Sequence, residues 1–151
     1  MKATFGAGCF WHVEDLLAKT KGVKSTKVGY TGGQLPNPTY EEVCTDRTGH
    51  AEAVEVEFDP EEISFEELLD VFWNNHNPTT LNRQGPDVGI QYRSAIFYHD
   101  EKQKEIAEKS KQSLSESGRF DIPVVTEIVP APTFYDAEEY HQKYFKKHGL
   151  S

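Results

Sequence analysis

At 151 residues and 36% hydrophobic content, the chain is long enough to bury its own core without disulfide or metal staples, and a single domain over 1–151 is expected. Its 16 basic and 25 acidic residues leave a net charge of -9, which repels nucleic acid and anionic membrane surfaces and excludes both as main partners. The first 20 residues hold no basic-then-apolar leader and no run reaches the roughly 18 apolar residues of a membrane span, so a soluble, cytoplasmic protein is expected.

Lys2 to Phe5 reads as a short strand, Gly6-Ala7-Gly8 as a tight turn, and Phe10-Trp11-x-Val13-x-x-Leu16-Leu17 as the apolar stripe of a helix. Cys9 therefore falls at a helix start. Unpaired backbone N–H groups and the positive end of the helix dipole favour thiolate there, which would lower the pKa of Cys9 and make it a nucleophile. The plain alternative is a buried cysteine in a glycine-rich turn. The only other cysteine is Cys44, and no C-x-x-C pairing is present, so neither a disulfide framework nor a zinc cluster is encoded.

Val23 to Gly29 reads as the second strand, closed by a turn at Tyr30-Thr31-Gly32-Gly33. From His50 to Phe58 the sequence alternates, with Val54, Val56 and Phe58 facing one way and Glu55 and Glu57 the other. Ser64 with Glu67 makes a capping box for a helix to about Asn75. Ser94 to Tyr98 is a further strand, and Asp100 caps a charged helix to about Ser117. Val124 to Val129 reads as another strand, and Asp136 with Glu139 opens a final helix. Strands alternating with helices predict an α+β domain with a mixed sheet and packed helices.

Two stretches stand out as sites. The long polar segment from Asn74 to Arg93 carries Asp87 and leads through Tyr92 into a strand; loops of that length in small domains are usually functional. His50-Ala51-Glu52 matches the H-x-E of zinc deaminases, but the downstream P-C-x-x-C is absent. What survives is Glu52. Facing an apolar pocket, its carboxyl would be raised in pKa and able to donate a proton near neutral pH; facing solvent, it would be an ordinary strand glutamate.

Gly8-Cys9-Phe10-Trp11-x-x-Glu14, Gly29-Tyr30-x-Gly32-Gly33, Asn37-Pro38-Thr39-Tyr40-x-x-Val43-Cys44, Thr48-Gly49-His50-Ala51-Glu52 and Asn82-Arg83-Gln84-Gly85-x-Asp87-x-Gly89-x-Gln91-Tyr92-Arg93-Ser94 together resemble the peptide methionine sulfoxide reductase A family, in order and over nearly the whole chain. The resemblance implies a two-layer α+β sandwich with a ferredoxin-like core. It also implies reduction of the S epimer of methionine sulfoxide, free or in proteins, without metal or organic cofactor; a monomer is expected. By resemblance Cys9 is the nucleophile that becomes a sulfenic acid, Glu52 the acid, Tyr40 and Tyr92 donors to the oxide, Asp87 a residue that orients water, and Phe10 and Trp11 the seat of the substrate methyl group.

Many family members carry resolving cysteines in a C-terminal tail, and Lys147 to Ser151 contains none. Recycling is therefore expected from an external thiol such as thioredoxin, glutaredoxin with glutathione, or a small thiol, with Cys44 a buried structural residue and His12 facing solvent; the alternative is that Cys44, the only internal candidate, resolves the sulfenic acid as a disulfide. Two rivals remain: a thiol hydrolase with a histidine such as His50 as base, and a non-catalytic reader of oxidised methionine that would tolerate loss of Cys9.

Overall fold

A computed structural model describes residues 1–150; Ser151 lies outside the described residues. Apolar alternation in β1 (Lys2–Ala7) and β3 (Ala51–Phe58) puts these two strands side by side and antiparallel at the centre of a six-stranded sheet. Outside them lie β6 (Ser94–Tyr98), antiparallel to β1, and β2 (Val23–Thr31), antiparallel to β3. The helices α1 (Phe10–Ala18), between β1 and β2, and α3 (Phe65–Asn74), between β3 and β6, complete a βαββαβ unit with strand order β6-β1-β3-β2, the ferredoxin-like arrangement. The edges are extended by β7 (Glu127–Pro130), parallel to β6, and β8 (Tyr135–Asp136), antiparallel to β2, which makes the sheet mixed.

Parity along β3 decides what each face does. Val54, Val56 and Phe58 are buried with Phe5, Phe10, Leu17, Leu68 and Leu69 in the main core, where each such side chain contributes roughly 1.5–3 kcal/mol. Ala51 and Ala53 point to the opposite face, into a smaller cluster with Ala95 and Phe97. Further along that face Glu55 pairs with Lys2 and Lys27. Glu52 has the parity of Val54, so it enters the core side.

The helices start where the sequence places their caps. Ser64 and Glu67 form the reciprocal capping box of α3, Asp100 accepts from the Gln103 N–H to open α4 (Glu101–Glu116), and Thr39 with Glu42 caps the single-turn α2 (Tyr40–Val43). The long polar segment folds on itself: the hairpin of β4 (Arg83–Gln84) with β5 (Asp87–Val88) is tied down where Gln84 exchanges two side-chain bonds with the Asn77 backbone. A short 3-10 turn, Ile90–Tyr92, then leads into β6.

Two expected turns are partly strand, since β1 runs on to Ala7 and β2 to Thr31, and two further elements differ. The strand expected from Val124 begins only at Glu127, because the Val125 N–H is already committed to the Pro78 carbonyl. No continuous helix follows Asp136; that residue ends β8, and a 3-10 turn (Glu139–His141) and the short α5 (Tyr144–Lys147) follow. Side chains of this segment are committed to the sheet and to α1. Gln142 bonds both the N–H and the carbonyl of Val28, and Lys143 adopts a left-handed φ of 52° as its N–H donates to Glu14.

Glu14 is the pivot of that closure. At 1% exposure it accepts from Thr26 Oγ1 at 2.9 Å and from Lys143 N at 2.6 Å, joining α1, β2 and the C-terminal segment. Glu14→Ala leaves two donors without their acceptor and is expected to cost about 2–4 kcal/mol, read as a fall in urea midpoint at unchanged m-value. An unchanged midpoint would show that water replaces the carboxylate.

Candidate active site

Cys9 stands between β1 and α1, where Gly8 takes a φ of 93°; a Cβ on Gly8 would meet the Gln84 side chain at 2.8 Å. The hairpin thus packs directly on the turn that presents the cysteine. Cys9 is half-buried and free, and it occupies the N-cap position of α1. The backbone N–H groups of Trp11 and His12 pull its pKa down, as expected at a helix start. Burial, reinforced by the charges of Glu52 and Asp87, outweighs them and pushes the thiol up to about 11. The expectation of a lowered pKa is therefore corrected: the resting group is a neutral thiol.

Glu52 lies beside Tyr30 in the β2–β3 register and is 1% exposed. Its Oε1 accepts the Phe10 N–H at 3.2 Å, while Oε2 has no hydrogen-bond partner among the described residues. Burial pushes the carboxyl up to about 8 against the Phe10 bond, and Asp87 adds to the rise. At neutral pH it is mostly a carboxylic acid. The solvated-strand alternative for Glu52 does not hold.

Tyr40, at the start of α2, and Tyr92, at the end of the 3-10 turn, complete the cluster. Burial raises both phenols, Tyr92 to about 12, and each responds to the charge of Glu52; Tyr92 also responds to Cys44, Asp87 and Cys9. The five polar residues singled out in the sequence, Cys9, Tyr40, Glu52, Asp87 and Tyr92, thus converge electrostatically. Both phenols stay protonated at neutral pH, as hydrogen-bond donors.

The aromatic pair after Cys9 is divided. Phe10 is buried, with Tyr30 and His141 at ring-centroid distances of 5.7 and 5.1 Å, whereas Trp11 is half-buried and stacks in parallel on Tyr144 at 3.7 Å. Position 12 is exposed, as expected. Cys44 is not the buried residue expected: it caps the C-terminus of α2, is exposed, and shares a hydrogen bond with the Tyr40 side chain. A one-turn helix ends too soon to bury it.

His50 offers no base to Cys9. Its Nδ1 accepts the Gly33 N–H and its Nε2 meets the Leu35 carbonyl at 2.7 Å, so both ring nitrogens hold the Gly32–Gly33 turn. Backbones approach so closely there that a Cβ on Gly33 would lie 2.3 Å from the Thr48 carbonyl oxygen. Among the described residues no group of three or more His, Cys, Asp or Glu side chains could hold a metal ion.

Sequence reasoning assigned no role to Glu14, Glu138 or His141. Glu14 was findable, since its spacing from Phe10 and Leu17 puts it on the buried face of α1. Glu138, which accepts from Tyr30 OH and the Tyr40 N–H, and His141, which accepts from Trp11 Nε1, sit in a polar segment without periodicity.

A buried carboxyl whose charge is felt by a half-buried thiol and two phenols, with both ring nitrogens of His50 committed elsewhere, suits thiol redox chemistry better than a hydrolase relying on His50 as base. The family model for "Peptide methionine sulfoxide reductase" matches residues 1–150, and the chain belongs to that family of oxidoreductases. A curated relative, the peptide methionine sulfoxide reductase of Methanothermobacter thermautotrophicus, is 65% identical over 146 residues, covering 97% of this chain and 86% of its own. Among solved structures, reduced Mxr1 from Saccharomyces cerevisiae superposes with a TM-score of 0.90 at 37% identity, covering all of this chain and 87% of that one. Mxr1 in complex with Trx2 gives a TM-score of 0.65 at 28% identity, covering 95% and 84%.

Proposed function

We propose that this reductase converts methionine S-sulfoxide, free or in proteins, to methionine with Cys9 as nucleophile and Glu52 as proton carrier. The observation that carries the assignment is the pairing of a 1% exposed carboxyl, one oxygen unpartnered, with a half-buried thiol that is itself protonated. Proton bookkeeping then closes. Cys9 Sγ attacks the sulfoxide sulfur, Glu52 gives its proton to the sulfoxide oxygen, and the resulting carboxylate takes the thiol proton. Oxygen passes to Sγ, leaving a sulfenic acid and a thioether; the cysteine sulfur loses the two electrons that the substrate sulfur gains.

The other residues serve charge and position. Tyr40 and Tyr92 donate to the oxide as negative charge builds on it, in a pocket where such bonds exceed their strength in water. Asp87 adds a small push to the burial that keeps Cys9 and Glu52 protonated, the states this exchange begins from, and orients a water for the later return of the sulfenic acid. Trp11 is the half-open ring that the substrate methyl group reaches, and Phe10, buried against Tyr30 and His141, is the fixed wall of the seat.

Recycling consumes two thiol equivalents and releases water and a disulfide. The solved complex of Mxr1 with Trx2 supports a thioredoxin-class donor, with glutaredoxin plus glutathione or a small thiol as alternatives. We read the protein as a single domain acting as a monomer in the cytoplasm, which its two free thiols suit; no helix among the described residues is long and apolar enough to cross a membrane. Dithiothreitol-driven assays on each pure sulfoxide epimer test the reading: the S epimer should be consumed and the R epimer left. Equal consumption of both, or of neither, overturns it.

A further inference from the structure

Stacking alone does not orient Trp11. Tyr144 lies parallel to the indole at 3.7 Å with an interplanar angle of 6°, which fixes the plane of the ring but leaves a flip about the Cβ–Cγ bond that exchanges its two edges. One directional contact breaks that degeneracy: Trp11 Nε1–H donates to His141 Nδ1 at 2.8 Å.

His141 occupies an unusual place. It is 0% exposed and wedged among the rings of Phe10 at 5.1 Å, Trp11 at 5.6 Å and Tyr40 at 4.5 Å, three site residues, with Tyr140 at 4.1 Å on its other flank. Its Nε2 has no partner among the described residues. With Nδ1 accepting from the indole, the neutral ring carries its proton on Nε2, leaving a buried donor unpaired. A phenylalanine could fill the same space, but it would leave the Trp11 indole N–H without its acceptor. The acceptor at Nδ1 is what an apolar ring cannot supply. Burial holds the imidazole below the usual histidine range, which keeps that acceptor unprotonated.

We propose that His141 is a positioning residue of the reductase site, fixing which edge of the Trp11 indole faces the substrate's methyl group. The proposal rests on the assignment of Trp11 as part of the methyl seat. It predicts an effect on substrate seating that is separable from stability.

The test uses the full chain with three variants, His141→Phe, His141→Asn and Trp11→Ala, each assayed for kcat and KM on methionine S-sulfoxide with dithiothreitol. Indole N–H resonances are followed by 15N-labelled NMR, with Trp73→Phe used to assign the two tryptophans. His141→Phe should fold with at most a modest loss of stability, shift the Trp11 indole resonance, and raise KM about tenfold, the scale of one hydrogen bond, with kcat within about threefold. His141→Asn, whose side-chain oxygen can replace Nδ1, should return both the resonance and KM towards wild type. A wild-type KM in His141→Phe while Trp11→Ala raises KM would overturn this proposal and leave the seat standing. A wild-type KM in Trp11→Ala would remove the seat and this proposal with it. Failure of His141→Phe to fold would make His141 a structural residue and overturn the proposal as well.

Discussion

Cys9→Ser is expected to fold and to reduce no measurable methionine sulfoxide, a loss of at least about four orders of magnitude in kcat/KM against a background set by free thiol. Serine keeps the N-cap position of α1, and its hydroxyl can bond the first-turn N–H groups that Trp11 and His12 offer the sulfur, so the fold has no reason to suffer. The chemistry has every reason to. Oxygen transfer needs a polarisable atom that can give up two electrons and hold the oxygen in a stable S–O bond, and a hydroxyl oxygen can do neither. Circular dichroism and a urea midpoint establish folding; product methionine is read by chromatography. Substantial turnover by Cys9→Ser with Cys44 intact would move the nucleophile elsewhere.

Glu52→Ala is expected to slow reduction about a hundredfold or more, the usual scale of general acid catalysis, and Glu52→Gln less than that, because an amide still donates a hydrogen bond to the oxide without delivering a proton. The pH profile carries the sign. The active form is the protonated carboxyl, so the parent rate should be flat below about pH 8 and fall above it as Glu52 ionises, a descent absent from Glu52→Gln. The parent's descent should come before the Cys9 thiol titrates near 11. An alkaline rise in the parent rate would instead mean that attack waits on a thiolate formed in solution, and that Glu52 is not the acid.

The same residue costs stability. Below its unfolded pKa of 4.5 the carboxyl is protonated in both states and contributes nothing; between 4.5 and about 8 the unfolded chain ionises while the folded one holds its proton, and the penalty reaches about 3 kcal/mol at neutral pH. The stability gain of Glu52→Gln over the parent should therefore be larger at pH 8 than at pH 4. The site is held in this state by the packing around it.

What the sequence made legible follows periodicity and caps. The alternation of Val54, Val56 and Phe58 with Glu55 and Glu57 on β3, the Ser64–Glu67 capping box, and the glycine turn that delivers Cys9 to a helix start are local rules, and each reappears in three dimensions. Less legible were outcomes in which opposing terms compete. A helix start favours a Cys9 thiolate, but the depth of burial and two carboxylates brought by β3 and β5 reverse the balance, and neither is visible along the chain. A free cysteine such as Cys44 reads as buried; only the length of α2 shows that it caps an exposed end. The segment from Glu138 to Lys143 has helical composition, yet its side chains are spent on Tyr30, Tyr40, Trp11 and Val28, partners about 100 or more positions away that no window of sequence contains.

If Cys9 takes the sulfoxide oxygen, a single turnover without reductant must leave it there. Cys44→Ser, in which no second cysteine can capture the product, is mixed with one equivalent of methionine S-sulfoxide and dimedone without reductant, then mapped by mass spectrometry. The account predicts one methionine released per chain and a dimedone adduct on Cys9. Methionine formed with Cys9 unmodified would contradict it.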